Sequence, residues 1–229
     1  MPRASLDRKI HNLLNEILIL DSMVENAITK SVEALSKHDF KLAQSTYDFD
    51  KQINARRFEL ENDLIITIAT EQPIMAGDLR LMASILEVVG ELERIGDYAK
   101  GIAKICLLIG DKPHIKPLID IPLMCTLTVD MLHRAVGAFV RSDVEQAKRI
   151  PAEDDQVDAL YVQVYRELVQ IMTNDPSTVD QSNHLMWAAH NLERMADRVT
   201  NICERAVYVA TGKLVEIESS PENFVLPAN

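Results

Sequence analysis

"ELERIGD", residues 91 to 97, returns as "NLERMAD" at residues 191 to 197, an offset of 100 residues. Around the first copy, Ile85, Val89, Leu92, Gly96, Ala99, Ala103 and Cys106 recur at alternating spacings of four and three. Leu185, Ala189, Leu192, Ala196, Val199, Cys203 and Ala206 repeat each of these positions at the same offset. That spacing lays an apolar seam along one side of a helix, so two helices present matching faces to matching neighbours. A second match aligns residues 38–54 with residues 142–158 at an offset of 104. The chain is therefore an internal duplication in which the second copy has a turn four residues shorter.

Pro, Gly and capping residues at 36–40, 70–78, 110–117, 141–143 and 173–182 divide the chain into six helical stretches of about 25 to 35 residues, long enough for bundle helices. Aromatics make up 5% of the 229 residues and glycines number 7, which fits a helical composition with few or no strands. The expected architecture is all-α, six long helices in two tandem-repeat three-helix bundles. The first spans 1–112 and the second 113–212, followed by a loosely held tail at 213–229, where no helical seam continues. Pro151 falls near the start of the fifth helix and predicts a kink or a late start there.

Acidic side chains outnumber basic ones 35 to 24, a formal net charge of −11 that repels phosphate backbones and disfavours nucleic acid as a partner. No segment holds the roughly 18 uninterrupted apolar residues of a membrane span, and "MPRASLDRKI" leads into no apolar signal core. The expected location is the cytoplasm. Cys106, Cys125 and Cys203 are odd in number and without CxxC spacing, which reads as reduced, buried thiols.

Glu93 and Asp97 lie one helical turn apart on the flank of the seam, about 100° around from Leu92 and Gly96. Glu193 and Asp197 stand in the same relation to Leu192 and Ala196, and the preceding helices supply Asp50 with Asn54 and Asp154 with Asp158. At this acidic content roughly five such pairs arise by chance, so a single pair says little. The doubled block, with acidic partners on the preceding helix of each half, points to oxygen-ligated metal. Carboxylate and amide oxygens suit Mg, Mn or Fe, with Ca or Zn as lesser fits. The competing reading is a solvated helix face with Arg94 and Arg194 as counterions. Asn54 stands where the second half has Asp158, so the first site has one less charge.

The segments "EQPIMAGDLR" (71–80), "LERIGDYAKGIAK" (92–104), "DKQIN" (50–54), "DDQVDALY" (154–161) and "LERMADRVTNICE" (192–204) together resemble the PhoU family, over nearly the whole chain from residue 5 to 212. The resemblance implies two three-helix bundles related by a pseudo-twofold, each with an acidic metal site on its surface. Carried over by position, the ligands are Asp50, Glu93 and Asp97 in one half, and Asp154, Asp158, Glu193 and Asp197 in the other. It also implies a negative regulator of the phosphate-starvation response, an adaptor without turnover. Its partners would be the ATP-binding subunit of a phosphate ABC transporter and a sensor histidine kinase, reached at the membrane only through those proteins. The expected assembly is a homodimer. Asp78 and Arg80, with Arg94 and Arg194, are candidate partner contacts. The alternative for the first two is that Asp78 caps the third helix and Arg80 pairs locally.

Rival helical classes fit less well. A ferritin-like di-iron enzyme needs Glu-x-x-His on two helices, and none of the six histidines has Glu three residues before it. A helical phosphotransfer module could use His190 in "HNLER", but the first repeat has Gly90 there, so the imidazole is not the duplicated feature. His133 and His184 are isolated in sequence and receive no chemistry. A structural interaction module without metal is the remaining alternative.

Overall fold

The computed structural model describes residues 2–217, with side chains from residue 4. Its elements are α1 (Pro2–Lys37), α2 (Phe40–Thr70), α3 (Ala76–Ile109), α4 (Asp120–Arg141), α5 (Val144–Arg149), α6 (Asp154–Asn174) and α7 (Val179–Thr211). A 3₁₀ turn over Ile150–Glu153 joins α5 to α6, and another over Pro176–Thr178 precedes α7. α5 and α6 together form the fifth of six helical stretches. Their interruption falls at the buried Pro151, which has no N–H to donate and whose ring crowds the carbonyl four residues back.

The duplication is written into the turns. His38 and Ser142, 104 residues apart, both take positive φ (53° and 56°) and end α1 and α4. The next amide in each case reaches back into the helix, Asp39 N to Ala34 O at 3.0 Å and Asp143 N to Ala138 O at 2.8 Å. Each of those aspartates then caps the following helix, Asp39 accepting from Leu42 N at 2.9 Å and Asp143 from Gln146 N at 3.0 Å. Glu71 and Asp175, again 104 apart, close α2 and α6. Beyond them the first half inserts Gln72–Met75, with a cis Gln72–Pro73 bond, and the offset drops to 100.

In the first half α1, α2 and α3 pack on one another, and in the second α4, α6 and α7 do so. α3 lies along α7, and α1 along α4. Two contacts across the α3–α7 seam display the pseudo-twofold: Arg198 lies 3.7 Å from Glu91, while Asn191 Nδ2 donates to Tyr98 O at 3.4 Å. Exchanging the halves by 100 residues turns one residue pair into the other. At Gly101 an added Cβ would stand 2.7 Å from Asn191 Nδ2, which shows how close the two helices come. Buried side chains from Leu6 to Val207 form one continuous core through both halves. α4 is long and apolar enough by composition to cross a membrane, yet half of it is buried in this core, Met131, Leu132, Val136 and Phe139 included.

Two local expectations need correction. Asp78 is not the cap of α3: Met75 holds that position without a side-chain bond, and Asp78 lies within the first turn, where its charge complements the helix dipole. Arg80 does not pair locally either. Its guanidinium sits 5.9 Å from the Tyr208 ring centroid, and a Cβ on Gly212 would stand 2.5 Å from its Nη1, so it packs against the end of α7. Of the sequence expected to form a loose tail, 213–217 turns back against α7, with Ile217 N donating to Glu204 Oε1 at 2.9 Å. Residues 218–229 lie outside the described residues.

Candidate functional site

The apolar seam fixes where the acidic side chains go. Ile53 and Val157 are buried on α2 and α6, as are Leu92 with Gly96 on α3 and Leu192 with Ala196 on α7. Gly96 lets α2 close on α3, since a Cβ there would stand 3.3 Å from Ile53 Cδ1 and Cγ2. Each duplicated acidic set consequently flanks a tight helix pair. The deepest member is the aspartate nearest the start of the set, Asp50 (4% exposed) or Asp154 (2% exposed).

In the first half the acids have cationic partners. Lys100 Nζ sits 2.7 Å from Asp50 Oδ2 and 3.6 Å from Asp97, and the bond to Asp50 holds the ammonium above its usual pKa. Asn54 Nδ2 donates to the same Asp50 oxygen at 3.0 Å. Arg57 Nη1 lies 3.0 Å from Glu93 Oε2, and Arg94 pairs with Glu91 at 3.3 Å.

The second half replaces both central cations. At the matching registers Thr200 stands for Lys100 and Tyr161 for Arg57, while Asn54 becomes Asp158. Burial pushes the Asp154 carboxyl up to about 7, with the charges of Asp158, Asp197 and Glu193 adding to the effect. Burial, then Asp197 and Asp158, push Glu193 to about 7, and Asp158 is raised for the same kinds of reason. Among the described residues Asp154 Oδ1, Glu193 Oε2 and Thr200 Oγ1 are buried atoms without a hydrogen-bond partner. Arg194, 2.8 Å from Asp197, and Arg198, which lines the same cleft, are cations beside this set.

Asp154, Arg194, Asp197 and Thr200 line a cleft of about 400 Å³, and Glu216 and Ile217 of the segment after α7 form another part of its wall. His190 Nδ1 lies 3.1 Å from Glu193 Oε2, outside hydrogen-bonding direction, and the ring is half exposed. This imidazole borders the carboxylates, which its single occurrence in the repeat did not disclose.

The four carboxylates fit a hard divalent cation by donor chemistry and by the orphaned oxygens of Asp154 and Glu193. They converge without coming within coordination range as a group. Among the described residues the side chains whose ligand atoms do so, all within 4.8 Å, are Asp21, Glu25 and His133 on α1 and α4. Sequence reasoning missed that cluster because His133 lies 108 residues from the nearer of the two acids, Glu25, and the group carries no repeat. Its one local signal was the acidic pair at i,i+4 on α1.

A sequence profile of the PhoU domain matches residues 17–106 and again residues 121–206. The phosphate-specific transport system accessory protein PhoU homolog of Clostridium acetobutylicum is 35% identical over 217 residues, covering 95% of this chain and 99% of that one. The corresponding PhoU of Escherichia coli is 31% identical over 205 residues, 90% of this chain and 85% of that one. Among solved structures, the phosphate transport system regulatory protein PhoU from Streptococcus pneumoniae superposes with a TM-score of 0.85 at 29% identity, covering 92% of this chain and 99% of that chain. PhoU from Pseudomonas aeruginosa gives 0.85 at 30% identity, covering 90% and 99%.

Proposed function

The chain belongs to the PhoU family, a family of non-enzymatic accessory and regulatory proteins, and from that premise we propose that it is a cytoplasmic negative regulator of phosphate uptake whose adaptor role depends on bound metal. The relatives' description as accessory proteins of a phosphate-specific transport system supports the transport side of this reading. Its partners are then the ATP-binding subunit of a phosphate ABC transporter and a sensor histidine kinase, and it meets the membrane through them. The functional units are the repeats 1–112 and 113–212, and the working assembly is a homodimer. Exposed apolar side chains such as Phe58, Ile65 and Tyr165 support a docked surface of that kind.

The observation that carries the metal reading is the second cluster, in which, among the described residues, Arg194 pairs with Asp197 but no Lys or Arg pairs with Asp154, Asp158 or Glu193. Asp154, Asp158, Glu193 and Asp197 would hold Mg²⁺, Mn²⁺ or an iron ion through oxygen, and the bound charge would offset the burial and the mutual repulsion that raise the pKa values of Asp154, Asp158 and Glu193. Asp50, Asn54, Glu93 and Asp97 form the related weaker site, where an ion has to displace Lys100. Neutralising the patch fixes α6 against α7, and partners read that surface, including Arg194, together with Asp78, Arg80 and Arg94 on α3.

Calorimetric titration of chelated protein with Mn²⁺ tests this, beside a Glu193→Gln, Asp197→Asn variant. The reading requires a tight site lost in the variant, and partner binding that weakens on chelation. Equal Mn²⁺ binding by both proteins, or partner binding indifferent to chelation, would remove the metal from the function. The internal cations Lys100 and Arg57 favour a second reading for the first half alone, an ion-paired docking face that needs no metal.

A further inference from the structure

Apart from the duplicated clusters, an acidic residue occupies a place in the core where the pattern of α1 calls for an apolar one. Leu13, Ile17, Leu20, Val24, Ala27 and Ile28 are buried along this helix, and Asp21 is buried among them at 4% exposure. An isolated buried carboxylate costs several kcal/mol unless a proton, a donor or a cation compensates it. No Lys or Arg ion pair reaches Asp21 among the described residues, and its Oδ1 is a buried atom without a hydrogen-bond partner. Glu25, one turn along, brings a second carboxylate to the same spot.

α4 crosses here antiparallel to α1, as the contacts of Glu25 with His133 and of Ile28 O with Cys125 Sγ show. His133 Nδ1 lies 3.0 Å from Glu25 Oε1, and one ligand atom from each of Asp21, Glu25 and His133 falls within 4.8 Å of the other two. The group is graded in depth. Asp21 forms the floor, Glu25 is partly covered, and the His133 ring, 72% exposed, forms the mouth.

We propose that Asp21, Glu25 and His133 bind a divalent ion of the zinc type, clasping α1 of the first half to α4 of the second. The two carboxylates supply charge and the imidazole supplies the nitrogen ligand that Zn²⁺ and Co²⁺ accept more readily than Mg²⁺ or Ca²⁺ does. Burial and the neighbouring Glu25 push the Asp21 carboxyl up to about 8, the response of a buried acid whose nearest charged neighbour is another acid. A cation at this point satisfies both carboxylates and the orphaned oxygen together. The site is independent of the carboxylates on α2, α3, α6 and α7, and its donor set selects a different class of ion.

The test uses the full chain carrying Glu93→Gln, Asp97→Asn, Glu193→Gln and Asp197→Asn, which disables both duplicated clusters and leaves the α1–α4 group untouched, titrated with Zn²⁺ by calorimetry and with Co²⁺ by visible absorption. One Zn²⁺ site is expected, with Co²⁺ ligand-field bands and a shift of the His133 ring nitrogens in NMR spectra. Asp21→Asn and His133→Ala should each weaken binding at least about ten-fold. His133 is exposed and Asn matches Asp in shape, so both variants can be checked for wild-type helicity before titration. The proposal is overturned if Zn²⁺ does not bind, or if binding survives His133→Ala. It is equally overturned if binding needs His133 yet ignores Asp21→Asn, which would mark association with a surface imidazole.

Discussion

Replacing Thr200 by Lys should put into the second half the cation that Lys100 supplies in the first. Thr200 shares the cleft with Asp154 and Asp197, and its Oγ1 has no hydrogen-bond partner, so the position is open to a longer polar side chain. Asp154 is held at about 7 against an ordinary value of 3.8, and at 1.36 kcal/mol per pKa unit keeping it charged costs at most about 4 kcal/mol at pH 8. An ammonium placed as Lys100 is, 2.7 Å from the aspartate, relieves most of that cost. Ordering the lysine side chain takes back up to about 2 kcal/mol. The net gain should be about 1–3 kcal/mol for metal-free protein, or roughly 3–10 °C in Tm for a chain of this size. Urea denaturation in chelator at pH 8 reads the stability, and Mn²⁺ calorimetry should show the second-half site abolished, because its charge is already balanced. Wild-type Mn²⁺ affinity in a folded Thr200→Lys protein would refute the reasoning, as would a loss of stability in chelator.

The converse substitution, Lys100→Thr, should leave Asp50 buried without its cation and cost about 2 kcal/mol in chelator, while strengthening Mn²⁺ binding in the first half; denaturation with and without Mn²⁺ measures both. Metal-free protein should lose stability from the second cluster as pH rises. Asp154 binds a proton more tightly folded than unfolded, so its contribution is fully present below 3.8 and is lost as pH climbs through about 7. Asp154→Asn should therefore flatten the stability profile between pH 4 and 8 in chelator, and an unchanged slope would contradict the assignment. Gly96→Val should cost about 1–3 kcal/mol by overpacking, because the first added carbon already stands 3.3 Å from Ile53; thermal unfolding checks it.

Much of the fold was legible because it is written in short-range patterns. Seams of period four and three, caps at Asp39 and Asp143 and the paired offsets of 104 and 100 each depend on neighbours a turn or two away. Each reappears in the helices and their ends. The start of the fifth helix was harder to read, since whether Pro151 kinks a helix or starts one depends on what packs around it. A helix cap was one of two readings of Asp78, yet the backbone starts the helix at Met75 and leaves that side chain inside the first turn.

By itself, then, the sequence determined that this is a duplicated helical protein with acids in register on the flank of each seam. Helical periodicity decides which side of a helix a residue occupies, and duplication makes that choice twice. Tertiary structure alone decided which charges meet. Lys100 turns back onto Asp50 while Thr200 leaves Asp154 without a cation, so two clusters that share the register of their acids differ in electrostatics. It also brought His133 to Asp21 and Glu25 across the α1–α4 crossing, and Arg80 to the end of α7. Contacts of that kind depend on how helices far apart in the chain are laid against one another, which periodicity along each helix does not encode.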